Sequence, residues 1–182
     1  MTTDAVTLFF ALLAVGAEAA VVLLATLTLG ARLSPAVAAW REQALGAIGP
    51  KAFGLALVVA TVATSGSLYL SEVAHFVPCR LCWYQRAAMY PLVPLLAVML
   101  WRRWFRARWA VLAIAVAGGS VSAWHILIER FPTLETGACD PDNPCSLIWV
   151  RRLGYLTIPT MALSAFALIA ALMLAARPPA PD

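Results

Sequence analysis

The chain has 182 residues, of which 63% are hydrophobic and 12% charged, with a net charge of +4 and a mean hydropathy of +0.85. Soluble domains carry about 25% charged residues, and a domain of this length has too little interior to hide so much apolar surface. The composition excludes an ordinary water-soluble enzyme, a disordered chain and a nucleic-acid-binding module, and makes lipid the expected solvent.

A membrane-crossing helix needs about 20 mostly apolar residues, and in lipid an open-ended chain satisfies its backbone only as a helix. Five stretches qualify, which predicts an all-α membrane bundle. The first runs from about 5 to 29. Its leader carries Asp4 and no Lys or Arg, and its apolar run is too long for a cleaved signal peptide, so a retained helix is expected. Glu18 lies near its middle, where a carboxyl must be protonated or paired, and the sequence names no partner for it. In the segment 34–48, Val37, Trp40, Ala44 and Ile48 recur at helical spacing after Ser34-Pro35. This predicts a short helix on the membrane surface.

The second span covers about 52–70. The third, about 83–100, is interrupted by Pro91 and Pro94, each of which removes a backbone donor. Met89 and Tyr90 there are expected mainly to pack in the core. The fourth span covers about 110–128 and holds His125 near its end. A histidine in a spanning helix is a functional candidate, able to hydrogen-bond a ligand oxygen or relay a proton. Glu129, one turn on, is a possible partner or a solvated helix end, whereas His75 in the preceding loop is expected to be solvated. The fifth span covers about 153–176. The chain thus divides into an N-terminal helix with a surface segment (1–51), a four-helix core (52–176) and a proline-rich tail expected to be disordered (177–182).

Orientation follows the Lys and Arg count of the short loops. Arg32, Arg41, Lys51, Arg102, Arg103, Arg106, Arg108 and Arg177 fall on one side, eight residues, against Arg80, Arg86, Arg130, Arg151 and Arg152, five residues, on the other. The first side is expected to be cytoplasmic, with the N-terminus outside and the C-terminus inside. The positive charge is therefore a topology signal. All seven Trp fall near helix ends or in flanking loops, as an interfacial belt requires.

All four cysteines fall on the outer side. Cys79 and Cys82 form a C-x-x-C unit, and Cys139 and Cys145 lie in the loop before the fifth span. Two structural disulfides are one reading, since that compartment is oxidising. A four-cysteine zinc site is another, although no metal is expected. Redox work is favoured over both. A C-x-x-C disulfide closes too small a loop to be a good staple. Pro78 precedes the pair and a helix follows it, so free amides and the helix dipole favour a thiolate. Arg80 and Arg86 add positive charge, and Arg86 sits one turn beyond Cys82. The second pair lies in a turn-forming, proline-containing stretch where a soluble partner can reach a sulfur. Two such pairs exchange by thiolate attack and would form a relay. It needs an acceptor. With no haem C-x-x-C-H motif, flavin or nucleotide loop in the sequence, the bilayer offers quinone.

The run Pro78-Cys79-Arg80-Leu81-Cys82-Trp83-Tyr84-Gln85-Arg86, together with the later C-x5-C pair and Leu156-Thr157-Ile158-Pro159, resembles the DsbB family of quinone-dependent membrane thiol oxidoreductases. The close spacing of the second pair is similar to the BdbC-type branch. In vitamin K epoxide reductase-like proteins the loop pair precedes the C-x-x-C, the reverse of the order here. The resemblance covers about 52–176. It implies a four-helix fold, to which this chain adds a helix at the start. It also implies a DsbA-like thioredoxin-fold partner and an electron acceptor that is ubiquinone or menaquinone. By position, Cys139 would form the mixed disulfide with the partner and Cys145 would exchange with Cys79. Cys82 would lie against the quinone ring, Arg86 would polarise a quinone oxygen, and His125 would contribute to the quinone site. The alternative is a membrane scaffold or transporter with two structural disulfides.

Overall fold

The structure, a computed structural model, describes residues 2–135, 137 and 139–177. Six α-helices account for most of it: α1 (Thr3–Gly30), α2 (Pro35–Ile48), α3 (Ala52–Leu68), α4 (Arg80–Trp101), α5 (Arg108–Arg130) and α6 (Ile158–Ala175). Among the described residues there is no strand, only two isolated bridges in the loop before α6. The stretches Thr3–Gly30, Pro35–Val73, Phe105–Arg130 and Ile158–Ala175 are long and apolar enough to cross a membrane. At 22 residues α4 has the length, but Arg80, Gln85, Arg86 and its two prolines dilute it. The chain is a helical membrane bundle, as its composition predicts.

Three boundaries differ from the sequence reading, each for a local reason. α4 starts at Arg80 rather than Trp83, because Cys79 caps it and draws Cys82 into its first turn. α3 does not stop cleanly but runs into a π-turn, Tyr69–Val73. α6 starts at Ile158 rather than Leu153. Leu153 and Gly154 have φ of 49° and 82°, and a reverse turn closed by paired Arg152–Leu156 backbone bonds of 2.8 and 2.9 Å fills the gap. Only then does Pro159, at the start of the helix where its missing N–H costs nothing, let α6 begin. Pro91 and Pro94 are both accommodated inside a continuous α4.

α3, α4, α5 and α6 enclose the main core, which holds Phe53, Leu92, Leu96, Met99, Phe166 and Ile169. Lipid gives helices no hydrophobic reason to associate, so close backbone approach through small residues matters. Ala52, Ala56 and Ala60 on α3 and Ala115 and Gly118 on α5 are buried in these contacts. A Cβ on Gly118 would lie 2.4 Å from the Phe166 ring. α1 packs on α6 and α2. Of its residues only Thr7, Ala11, Ala14 and Ala17 are buried, while Leu12, Val22 and Leu23 are exposed. This inside-out pattern is that of a lipid-facing helix. All seven Trp are exposed.

Polar contacts gather at the two ends. At one, the Arg152 guanidinium holds Asp4 and the Thr7 hydroxyl of α1. At the other, Arg177 pairs with Glu42 at 2.8 Å and donates its backbone N–H to the Gly49 carbonyl, and Arg108 binds the Ala176 carbonyl at 2.7 Å. Arg177, the first residue of the expected tail, is thus tied down; 178–182 lie outside the described residues. Glu18, which had no partner in the sequence, receives hydrogen bonds from the Tyr155 hydroxyl (2.6 Å) and the Ser164 hydroxyl (2.8 Å).

Candidate functional site

Pro78 delivers the chain in an extended conformation to Cys79, the N-cap of α4 (φ −72°, ψ 173°). The Cys79 Sγ accepts a hydrogen bond from the Cys82 N–H at 3.4 Å, in the place where a serine or aspartate oxygen usually caps a helix. One turn of helix then brings the two sulfurs to 2.9 Å, both as free thiols. Cys79 is buried and Cys82 half-buried. The hydrogen bond from the Cys82 thiol holds the Cys79 thiol well below the usual thiol range. His125 adds to this through hydrogen bonding and charge, against the opposing effect of burial.

Cys139 and Cys145 are joined in a disulfide. The loop that carries them is held at several points. The Cys145 N–H donates to Glu135 Oε1 at 2.6 Å, and Asn143 Nδ2 donates to the Pro78 carbonyl at 3.1 Å. The second bond ties this loop to the approach of the C-x-x-C. Cys79, Cys139 and Cys145 share one apolar cluster with Leu81 and Ile128.

His125 joins the two pairs. Its Nε2 lies 2.9 Å from the Cys145 carbonyl, which can only accept, so Nε2 is the donor there; Cys79 Sγ is 3.7 Å from the same nitrogen. Nδ1 is 3.1 Å from Gln85 Nε2. When Nε2 alone carries a proton, Nδ1 accepts from the Gln85 amide. Both His125 and Gln85 are buried.

Two cavities flank Cys82. The larger, of about 320 Å³, lies between α1, α3, α4 and α6 and is walled mainly by apolar side chains, among them Phe10, Val59, Met89, Tyr90, Met161 and Phe166. Cys82, Gln85, Arg86 and Ser67 supply its polar groups. Its volume and its few convergent polar groups on an apolar wall suit a small, mostly apolar ligand. The smaller, of about 20 Å³, is lined by Cys79, Cys82, His125 and Glu129 with Pro144, Trp149 and Pro159 around them. Cys82, Trp149 and Ile158 line both.

Arg86 is anchored rather than loose. Its Nε donates to Ser67 Oγ at 3.0 Å and its Nη2 to the Ser67 carbonyl at 2.9 Å, and the guanidinium lies 5.2 Å from the Trp83 ring centroid and 6.0 Å from that of Tyr90. Tyr90 donates to the same Ser67 hydroxyl at 3.2 Å.

The six residues singled out from sequence thus divide. Cys79, Cys82, Cys139, Cys145 and His125 converge at one end of the bundle, and Cys82 and Arg86 line the larger cavity. His125 does not, because α5 contributes no side chain to that cavity. It lies on the thiol side of the C-x-x-C. Glu129 accepts from Thr157 Oγ1 at 2.7 Å and shares the small cavity with His125, and His75 is exposed. Ser67, Gln85, Glu135 and Asn143 were not singled out. Gln85 lies within Pro78–Arg86, where no local pattern marks it as a partner of His125. The other three act on residues 10 to 65 positions away, for which a sequence carries no local signal.

Residues 50–176 match the family model for "Disulfide bond formation protein DsbB". Disulfide bond formation protein C of Bacillus subtilis (strain 168) is 42% identical over 113 residues, 62% of this chain and 82% of that protein. A probable disulfide formation protein of Oceanobacillus iheyensis is 40% identical over 114 residues, 62% of this chain and 79% of that protein. A probable disulfide formation protein C 1 of Bacillus anthracis is 39% identical over 110 residues, 60% and 79% of the two chains. No solved structure matches.

Proposed function

Because the chain belongs to the DsbB family and so forms disulfides, we propose that it takes electrons from a thioredoxin-fold dithiol protein outside the cytoplasmic membrane and delivers them to a membrane quinone. In this reading the cysteine end of the bundle faces outward, the Arg177 end faces the cytoplasm, and residues 52–176 form the catalytic core. The observation that carries the reading is the placement of Cys82. It belongs to a thiol pair packed with the second cysteine pair and also opens onto a cavity of about 320 Å³ with Arg86 in its wall.

The residues divide the work as follows. Cys139 Sγ takes the partner's thiolate, and Cys145 leaves as a thiolate; the partner's second thiol then completes its own disulfide and frees Cys139. The Cys145 thiolate attacks Cys79 of the oxidised inner pair and displaces Cys82 as a thiolate; the Cys139 thiolate then attacks Cys145, re-forming the outer disulfide and displacing Cys79, so that the electron pair now resides on Cys79 and Cys82. The low thiol pKa of Cys79 makes it a good leaving group in the second of these displacements. His125, between Cys79 and the Cys145 backbone, is placed to hold a proton from either sulfur. When bound, a quinone supplies a sink for the two electrons and two protons, becoming a quinol. Cys82 presents its sulfur to that cavity and re-pairs with Cys79. Arg86, a cation that stays charged, offers fixed positive charge beside it in a dry site.

The test is anaerobic. Purified protein, a reduced thioredoxin-fold protein and a short-chain quinone are mixed, and partner thiols are counted. Thiol loss that requires both protein and quinone is expected. Thiol loss of equal rate without quinone, or none with it, overturns the proposal.

A further inference from the structure

The small cavity beside Cys82 has no place in the electron path just described. It has room for about one water molecule, yet two thiols, an imidazole and a carboxylate line it. The sulfurs of Cys79 and Cys82 and a ring nitrogen of His125 all lie within 4.8 Å of one another. From this geometry we propose that, when the inner pair is reduced, Cys79, Cys82 and His125 bind one Zn²⁺ ion, with water completing the fourth position, and that the ion locks the pair in its dithiolate form.

The distances suit the ion. Zinc bonds of about 2.3 Å to sulfur and 2.0 Å to nitrogen place tetrahedral S and N ligands about 3.5 Å apart and two sulfurs about 3.8 Å apart. Cys79 Sγ and His125 Nε2 are already 3.7 Å apart. The two sulfurs must open from 2.9 Å, which needs only a change of side-chain torsion. The C-x-x-C spacing is itself a common zinc-ligand spacing. The shell behind His125 can adapt. To ligate through Nε2 the ring must shift its proton to Nδ1 and give up the Cys145 carbonyl. Gln85, 3.1 Å from Nδ1, can accept that proton's hydrogen bond by turning its amide over, as the outer partners of zinc-bound histidines do.

Binding is redox-gated, because only thiolates ligate and the inner disulfide offers none. Two thiol protons leave and no electrons move. The bound sulfurs are then withheld from reoxidation. This goes beyond the electron path proposed above and does not require quinone to be the acceptor, so its test avoids quinone.

The probe is Zn²⁺ added to detergent-solubilised full-length Cys139→Ser/Cys145→Ser protein, reduced anaerobically and freed of reductant, against a chromophoric chelator. One equivalent bound is expected, and none after diamide has oxidised the same sample beforehand. Co²⁺ in place of zinc should give the intense thiolate charge-transfer and visible bands of a tetrahedral site. His125→Ala should weaken zinc binding about tenfold or more. Zinc should slow diamide oxidation of the pair, and EDTA should restore it. In an otherwise wild-type reduced chain, Cys82→Ser should also lose one equivalent, which covers the case of a double variant that does not fold. Absence of zinc from the reduced protein, zinc retained after oxidation, or unchanged diamide oxidation with zinc bound would each overturn the proposal.

Discussion

Cys79 does two jobs at one position. Its sulfur caps α4 and also receives the Cys82 hydrogen bond, with His125 behind it. Because its folded pKa is lowered, the reduced protein gains stability from the Cys79 thiolate above the pKa of a free thiol, about 8.5, and loses it as pH falls through the depressed value. Ultraviolet thiolate absorbance of the reduced protein should therefore persist to a pH below that of a free thiol, and His125→Phe should move the midpoint upward. A wild-type midpoint at the free-thiol value would contradict this. Arg86 has a comparable dependence on one neighbour, Ser67, which takes two of its hydrogen bonds. Ser67→Ala removes one of these, worth about 1 kcal/mol. It is expected to raise the apparent KM for quinone about fivefold with partner thiol exchange unchanged, and an unaltered KM would remove Ser67 from the account. At this scale the sequence reading found the sulfurs and the arginine, because C-x-x-C and its flanks are contiguous. It could not find what holds them, since Ser67 lies a helix away and Glu135 and Asn143 act across loops.

Among the elements, the spans were legible because apolar runs of this length have few other uses. Their ends were less so, where a cysteine cap, a π-turn and a positive-φ turn override the hydropathy profile. The first helix is the element whose placement only the structure supplies. Phe10, Leu13, Ala14 and Ala17 form one wall of the larger cavity. Phe10 fits over Gly66 of α3 so closely that a Cβ there would lie 2.8 Å from its ring, and the helix is fastened through Glu18 to Ser164 and Tyr155 and through Asp4 and Thr7 to Arg152. If this wall bounds the quinone site, Phe10→Ala should shift the KM ratio of benzoquinones to naphthoquinones a few-fold in favour of the larger ring. An unchanged ratio would mean that α1 only packs. Gly118 tests the bundle itself. Gly118→Val drives a side chain into Phe166 and Ala88. An overpacking cost of about 1–3 kcal/mol should lower the thermal unfolding temperature in detergent, whereas unchanged unfolding would show that α5 and α6 pack otherwise.

Across the whole molecule, the apolar majority of the sequence builds an inside-out bundle, and its few polar residues concentrate at the ends and around one pair of sulfurs. The proposed electron path runs from a loop pair held by Glu135 and Asn143, past an imidazole shared by both pairs, to a sulfur at the wall of an apolar cavity. Its central claim is that the dithiol's electrons leave through Cys82 and nowhere else. The direct measurement is an anaerobic single turnover, with quinol and partner disulfide counted together. Wild type should form one quinol for each partner disulfide. Cys82→Ser should form no quinol while Cys139 still forms its mixed disulfide with the partner. Quinol formed at the wild-type rate by Cys82→Ser would contradict the account.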